Sequence, residues 1–158
     1  MKREYPEMPI VSVGGLVVKD NMFLLTKRAK EPLRDVWTLP GGAVELGERL
    51  QDAIVREIKE ECQIQARPIG IIEVFEQIFR NNEGRVKFHY VIVDFLLEYE
   101  SGIAKASSDT AELKWLTLEE LGEYNPPARA VKVIKSGLEV YRKLRVQPET
   151  ILPLIKTD

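Results

Sequence analysis

The chain has 158 residues, 44% hydrophobic and 30% charged, a balance that excludes a disordered chain and predicts a single globular domain over residues 1–158. The formal net charge of -2 supplies no basic field, so we expect a small-molecule ligand and not nucleic acid. With one cysteine, Cys62, no internal disulfide can form, and no apolar run reaches 18 residues. We therefore expect a cytoplasmic protein that does not cross a membrane.

The first half of the chain alternates apolar runs with turns. Val11–Val18 and Met22–Thr26 are predicted to form a β-hairpin. A polar loop leads to a short apolar segment at Trp37–Leu39, after which Pro40-Gly41-Gly42 is predicted to break regular structure. A helix is predicted over roughly Arg49–Cys62, where apolar residues recur with helical spacing.

The second half contains the longest predicted strands. These are Ile69–Phe79 and Val86–Leu97, followed by a short strand at Lys114–Leu116. Thr117, three residues before a glutamate, has the spacing of a capping box and should open a short helix. The last helix is predicted to start at Pro126-Pro127 and to run to about position 143, because proline suits a first helical turn. Hairpins interleaved with helices predict a mixed sheet flanked by helices, in the α+β class.

The first predicted helix directs two glutamates toward its apolar side. At about 100° per residue, Glu57 and Glu61 fall within the apolar arc, Glu60 lies at its edge, and Arg56 points the other way. Burying carboxylates without partners costs roughly several kcal/mol, so the pair needs a cation or protons. A divalent metal such as Mg²⁺ satisfies this need, because hard oxygen ligands suit it. The alternative is a glutamate-rich helix that is simply solvated.

The stretch from Gly42 to Ile64 resembles the signature box of the Nudix hydrolases. The matching residues, in the family's spacing, are Gly42, Glu48, Arg56-Glu57-Ile58, Glu60-Glu61 and Ile64. The resemblance implies an α/β/α sandwich around a central mixed β-sheet, and hydrolysis of a nucleoside diphosphate linked to another group, through attack of water on phosphorus. One position departs from the pattern. Gln63 stands where the family usually has glycine, so it must adopt a left-handed turn or end the helix differently.

The resemblance also implies roles for the charged residues of the box. Glu57 and Glu61 would be the main metal ligands and Glu60 an additional one. Glu48 would assist the cluster, and Arg56 would hold a glutamate in place through an ion pair. The implied cofactor is Mg²⁺, with Mn²⁺ as a substitute.

Residues outside the acidic cluster are candidates for the remaining tasks. The general base is a box glutamate or a loop acid, either Asp109 or Glu112, although a plain polar turn also explains Asp109. Lys27 and Arg28 end the second strand and are candidates for binding phosphate, since guanidinium groups fork onto phosphate oxygens, but a solvated strand end explains them equally well. Gly41 and Gly42 are the other predicted substrate-binding residues.

Several conspicuous residues are better explained by packing. His89, the single histidine, lies in an apolar strand and is interpreted as structural. Phe75, Phe79 and Tyr90 are candidates for stacking on a base, but aromatic residues in strands are equally typical of a sheet core. Cys62 is interpreted as a small packing residue.

The sequence indicates the family but leaves several substrate classes open. ADP-ribose or a similar nucleoside diphosphate sugar is the leading expectation, although Ile78 stands where the ADP-ribose group typically has proline. The alternatives are a MutT-like nucleoside triphosphate pyrophosphatase and a non-catalytic nucleotide-binding module. The complete set of acidic box residues favours an enzyme. A homodimer is a family-level expectation, with Tyr5–Val13 able to pair across subunits; the apolar tail Ile151–Ile155 is predicted to dock at an undetermined place.

Overall fold

The computed structural model describes residues 1–108 and 110–146, so Asp109 and the tail Ile151–Ile155 lie outside the described residues. The strands and helices are, in chain order, β1 Ile10–Lys19, β2 Met22–Arg28, β3 Trp37–Thr38, β4 Gly41–Ala43, α1 Leu50–Cys62, β5 Gln65–Arg80, β6 Val86–Ser101, β7 Thr110–Leu116, a 3₁₀ helix Leu118–Tyr124 and α2 Ala128–Val146. In the described residues, no helix has the length and apolar character needed to cross a membrane.

The strands form one mixed sheet, in agreement with the predicted α+β class. Its main order is β3-β2-β1-β6-β5, with β4 paired to β1 and β7 paired to β2. β1 runs parallel to β6, in register from Ile10 opposite Tyr90 to Val18 opposite Glu98. The other pairings are antiparallel, and the longest joins β5 to β6. β1 therefore lies near the middle of the sheet and is almost entirely buried.

The two long helices cover opposite faces of the sheet. On one face, Ile54 and Ile58 of α1 pack with Val17 and other side chains that alternate along β1 and β6. On the other face, Ile134 of α2 packs with Leu16 and its neighbours. This arrangement is the predicted α/β/α sandwich.

The structure corrects several predicted boundaries. Pro40-Gly41-Gly42 was predicted to break regular structure, but Gly41–Ala43 forms strand β4, because its backbone pairs with β1 from Ser12 to Gly14. β5 and β6 each have 16 residues and are longer than predicted, since the two strands pair along almost their full length. The predicted capping box is present, and Glu120 accepts hydrogen bonds from the backbone and hydroxyl groups of Thr117.

Candidate active site

A cleft of about 450 Å³ opens where β4 and the middle of α1 meet the end of β2, the interior of β6 and the start of α2. Its volume lies within the range typical of small-molecule sites. Three box glutamates line one side of the cleft, and residues of the sheet and α2 line the other. The charged lining residues central to the site are Arg28, Glu57, Glu60, Glu61, Asp94 and Arg129. The predicted ligand glutamates therefore share one concave surface.

Glu57 projects from α1 against the backbone of β4. Its side chain is 13% exposed and accepts a hydrogen bond from Nη1 of Arg56 at 2.7 Å. A Cβ atom at Gly42 would lie 2.5 Å from the carboxyl carbon of Glu57, so only glycine leaves room for this carboxylate. Burial raises the pKa of Glu57, while Arg56 opposes the shift. The helical periodicity had predicted this inward orientation, which is confirmed.

Glu61, one turn later, is tied to the same short strand. The backbone N–H of Gly41 donates a hydrogen bond of 3.2 Å to Oε2 of Glu61. A Cβ atom at Gly41 would collide with the carbonyl oxygen of Val13, so glycine is required for β4 to approach β1. Gly41 and Gly42 thus have a clear structural role: they place two carboxylates of α1 at the cleft.

Arg56 links α1 to the segment that precedes it. Its Nε and Nη2 atoms donate to the two carboxylate oxygens of Glu48 at 2.6 and 2.9 Å, and Nη2 also donates to the carbonyl of Ala43 at 3.1 Å. Nη1 reaches Glu57 at 2.7 Å and Glu60 at 3.3 Å. The helical wheel placed Arg56 outside the apolar arc, and its long side chain folds back along the helix to reach the glutamates. The ion-pair role implied by the family resemblance matches this geometry.

A further hydrogen bond fixes the Glu48 side of the Arg56–Glu48 pair. Oε2 of Glu48 also accepts a hydrogen bond of 2.9 Å from the backbone N–H of Glu45, which fixes the loop before α1. The hydrogen bonds from Arg56 lower the pKa of Glu48, and Glu48 in turn raises the pKa of Arg56. Such a bidentate pair is stronger and more directional than a single contact, so it fixes the orientation of α1 relative to β4.

The end of α1 explains how Gln63 replaces the usual glycine. Gln63 adopts a left-handed conformation, with φ 59° and ψ 30°, and its N–H donates to the carbonyl of Lys59 at 3.0 Å. Its side chain is exposed. The helix therefore ends with the usual left-handed residue, and the Cβ atom of Gln63 adds local backbone strain. The first of the two outcomes expected from the sequence is therefore the observed one.

The donor atoms fit a divalent cation that keeps part of its own solvent shell. Within the described residues, no three acidic, histidine or cysteine side chains converge into a closed metal site. Glu57 and Glu61 face the cleft, whereas the Glu60 side chain is 60% exposed at its rim. Mg²⁺ commonly uses only one or two protein carboxylates and completes its shell with water and phosphate oxygens. The arrangement therefore suits a hard divalent cation with open coordination positions.

The other predicted residues divide between the cleft and the rest of the molecule. Arg28 lines the cleft; burial lowers its pKa, Glu61 opposes that shift, and its Nε donates to the carbonyl of Pro32 at 2.7 Å. Glu112 pairs with Lys27 at 3.6 Å on β7 and β2, with 60% of its side chain exposed. Within the described residues, Glu112 and His89 are not part of the cleft lining.

The three aromatic residues considered for stacking on a base lie in different places. Tyr90 lines the cleft, whereas Phe79 packs edge-to-face on Phe88. Phe75 lies beneath the guanidinium group of Arg129, whose central carbon is 3.6 Å from the ring centre. Cys62, the last residue of α1, is buried in the core, as its interpretation as a packing residue requires.

Asp94 is a cleft residue that the sequence analysis missed. It is 2% exposed, and its Oδ2 has no hydrogen-bond partner in the described part of the chain. Nη1 of Arg129 lies 4.0 Å from Oδ2, too far for a hydrogen bond. Burial raises the pKa of Asp94 to about 7, with Arg129 opposing the shift. The available signal was an isolated acid within an otherwise apolar stretch, from Val91 to Leu97.

Comparisons with known proteins agree with this geometry. The model of the NUDIX domain matches residues 8–136, which include the whole sheet and α1. An ADP-ribose pyrophosphatase of Methanocaldococcus jannaschii is 36% identical over 113 residues, covering 72% of this chain and 64% of that protein. The matching region thus spans slightly less than two thirds of that relative.

Two further relatives point to the same family. A MutT-like protein of Streptomyces ambofaciens is 28% identical over 129 residues, covering 82% of this chain and 77% of that protein. The crystal structure of a MutT NUDIX hydrolase from Burkholderia pseudomallei has a TM-score of 0.71 and 29% identity, covering 82% of this chain and 98% of that one. The sequence match, the sandwich and the glutamates on α1 lead to one conclusion: this chain belongs to the Nudix hydrolase family.

Proposed function

We propose that this protein hydrolyses the diphosphate linkage of a nucleoside diphosphate derivative, with ADP-ribose or a similar nucleoside diphosphate sugar as its substrate. The observation that carries the proposal is the placement of Glu57 and Glu61 beside Gly41 and Gly42 in one cleft. The name of the Methanocaldococcus jannaschii relative, ADP-ribose pyrophosphatase, supports this choice of substrate.

A divalent cation, Mg²⁺ or Mn²⁺ in its place, would be held by Glu57 and Glu61, with Glu60 as an additional ligand from the rim. When bound, the cation would shield phosphate charge and increase the acidity of a coordinated water. The chain contributes the orientation of these ligands. Arg56 and Glu48 fix the angle of α1, and the N–H of Gly41 directs the carboxylate of Glu61.

The remaining groups have roles that follow from their positions. Arg28 lines the cleft and has donors suited to a phosphate oxygen of the substrate. We assign the general base to a box glutamate in preference to Glu112, because Glu112 pairs with Lys27 outside the cleft. Asp109, the other loop candidate, stays a prediction.

A second candidate function is nucleoside triphosphate pyrophosphatase activity, which the name of the MutT-like Streptomyces ambofaciens relative favours. Both reactions break a phosphoric anhydride and use the same carboxylates. A binding module without activity fits less well, because every acidic position of the box is present and Glu57 and Glu61 reach the cleft.

The test is hydrolysis of a substrate panel in the presence of Mg²⁺, Mn²⁺ or a chelator. The panel contains ADP-ribose, UDP- and GDP-sugars, diadenosine polyphosphates, NADH, coenzyme A, and common and oxidised nucleoside triphosphates. Release of AMP from ADP-ribose that stops with chelator is the expected result. Metal-dependent release of pyrophosphate from triphosphates alone would support the second candidate. No turnover of any compound by folded protein would contradict both.

Cytoplasmic location and homodimer formation stay predictions. The N-terminal segment proposed for dimer contacts already binds its own chain: the N–H of Tyr5 donates to the carbonyl of Lys87 at 2.8 Å, and Ile10–Val13 pair with β6. The elution volume in size-exclusion chromatography with light scattering would test the homodimer.

A further inference from the structure

Asp94 has a buried carboxylate oxygen, Oδ2, that no donor within the described residues satisfies. The residue is 2% exposed, and its Oδ2 finds no hydrogen-bond partner within the described residues. A buried acceptor without a partner carries a desolvation penalty of about 1–3 kcal/mol, and more when it is charged. An apolar residue would pack in strand β6 without this penalty. A donor on a bound ligand would remove this penalty, and the position of Asp94 in the cleft allows such a contact.

Gly14 provides the space that the carboxyl group of Asp94 occupies. Gly14 of β1 lies opposite Asp94 in the parallel pairing, and a Cβ atom there would collide with Oδ1. Any other residue at position 14 would push the carboxyl group out of its place. Asp94 lines the same cleft as the box glutamates, so a ligand held by those glutamates extends past it.

The position of Arg129 restricts which kind of ligand group could donate to Asp94. Its guanidinium group lies 4.0 Å from Oδ2 of Asp94 and stacks on Phe75 at 3.6 Å. This fixed positive charge disfavours a second metal cation, and the carboxylate disfavours a phosphate. The planar guanidinium lies at the cleft with its side chain 27% exposed, and it offers a flat cationic surface of the kind on which aromatic rings stack. A planar, uncharged ring that bears an N–H donor fits this position.

The distance to the proposed metal ligands suits a nucleoside. Asp94, Gly14 and Gly41 lie opposite one another on three adjacent strands. Two strand spacings place the backbone of Asp94 about 10 Å from that of Gly41, whose N–H holds Glu61. A nucleotide with its phosphates at the box glutamates can span this separation with its base toward Asp94.

We propose that Asp94 is a specificity-determining residue that accepts a hydrogen bond from the exocyclic amino group of the substrate's nucleobase, beside Arg129. This inference rests on the proposed function, because it assumes a nucleotide in the cleft. Adenine carries the required amino group, whereas hypoxanthine has a carbonyl oxygen at the same ring position. The carboxyl group of Asp94 therefore favours ADP-ribose over inosine diphosphate ribose.

The test compares these two substrates in the wild-type protein and in Asp94→Asn. Asparagine has the size of aspartate, but its amide group also donates, so it can pair with the carbonyl of hypoxanthine. We expect the ratio of kcat/KM for ADP-ribose to that for inosine diphosphate ribose to fall by about tenfold or more, mainly through KM. Asp20→Asn removes the same charge at the exposed β1–β2 turn and should leave the ratio unchanged.

The outcomes separate this inference from the proposed function. The role in base recognition would be overturned if Asp94→Asn left the ratio of kcat/KM for the two substrates unchanged, for example by lowering both values equally. This holds even if hydrolysis is confirmed. A wild-type protein without preference for the adenine substrate would also overturn this role. If no substrate of the panel is hydrolysed, calorimetric binding of AMP and IMP gives the same comparison without catalysis. A preference for AMP that Asp94→Asn reduces would then support the inference while the proposed reaction fails.

Discussion

Gly42 and Glu57 are matched in shape: the hydrogen atom of Gly42 faces the carboxyl group of Glu57, and a Cβ atom there would lie 2.5 Å from its carboxyl carbon. In Gly42→Ala the flexible carboxyl end can move aside, so we expect unfolding free energy to change by at most about 1 kcal/mol. Misplacement of a ligand carboxylate by about 1 Å can reduce turnover on the order of a hundredfold. Steady-state kinetics and urea unfolding of the same preparation measure both effects.

Gly41→Ala provides the matched control for that variant. Its Cβ atom would meet the backbone carbonyl of Val13 in place of a flexible side chain, so β4 must separate from β1. We expect destabilisation of about 1–3 kcal/mol from this overpacking. If Gly41→Ala proved more stable than Gly42→Ala, the assignment of these two glycines to folding and to carboxylate placement would be wrong.

Glu61→Gln should retain the fold and lose activity. Glutamine keeps an oxygen that can accept the N–H of Gly41, so the contact between α1 and β4 survives. Removing the charge should lower kcat by at least about two orders of magnitude, the size typical of losing a central electrostatic or acid–base group. Glu60→Gln should cost less, because that side chain is 60% exposed at the rim. Near wild-type kcat in Glu61→Gln would remove Glu61 from the site.

Asp94 should make the stability of the protein depend on pH. Burial raises its pKa to about 7 in the folded state, against an ordinary value near ~4 in the unfolded chain. Between these two values the folded state holds the additional proton, so this residue lowers stability progressively as pH rises from about 4 to about 7. Asp94→Asn lacks this titration, and its stability relative to wild type should increase over the same interval.

Urea unfolding of both proteins at several pH values between 5 and 8, with chelator present, measures this difference. Parallel stability curves across the interval would show that Asp94 titrates in the folded protein much as it does in the unfolded chain. Arg129→Gln removes the opposing positive charge and should enlarge the effect, since Arg129 holds the pKa of Asp94 down.

Gln63→Gly should stabilise the protein. Gln63 has a left-handed backbone at the end of α1, which a side chain disfavours by roughly 1–2 kcal/mol. Glycine removes this strain but has a more flexible unfolded state, so we expect a net gain of about 0.5–1 kcal/mol. Gln63→Ala keeps a Cβ atom and should give no such gain. Equal unfolding midpoints for the glycine and alanine variants would argue against strain at this position.

The positions of several strands and of α1 were predicted from local periodicity. The apolar runs of β1 and β2 and the helical spacing of α1 are properties of short segments, so their positions could be inferred without knowing the tertiary structure. The inward orientation of Glu57 followed from helical geometry alone. The orientation of Arg56 did not, because its long side chain follows its ion-pair partner Glu48 and not the helical wheel.

The missed features depend on contacts between distant parts of the chain. Strand β4 has three residues and exists because it pairs with β1, a relationship that no local pattern reveals. Asp94 resembles an incidental polar residue until β1 places Gly14 against it and α2 brings Arg129 within 4.0 Å. Asp109 lies outside the described residues, and its role as a base stays a prediction.

The parallel register between β1 and β6 has a consequence for how the protein is made. The two strands meet although roughly 80 residues separate Ile10 from Tyr90, so the central pairing of the sheet closes one of the longest loops in the chain. On the ribosome, β1 and β2 emerge well before their neighbour β6, and β1 keeps one unpaired edge until synthesis passes Ser101. The carboxylates of α1 are therefore synthesised before the sheet that positions them can close, and assembly of the cleft waits for the second half of the chain.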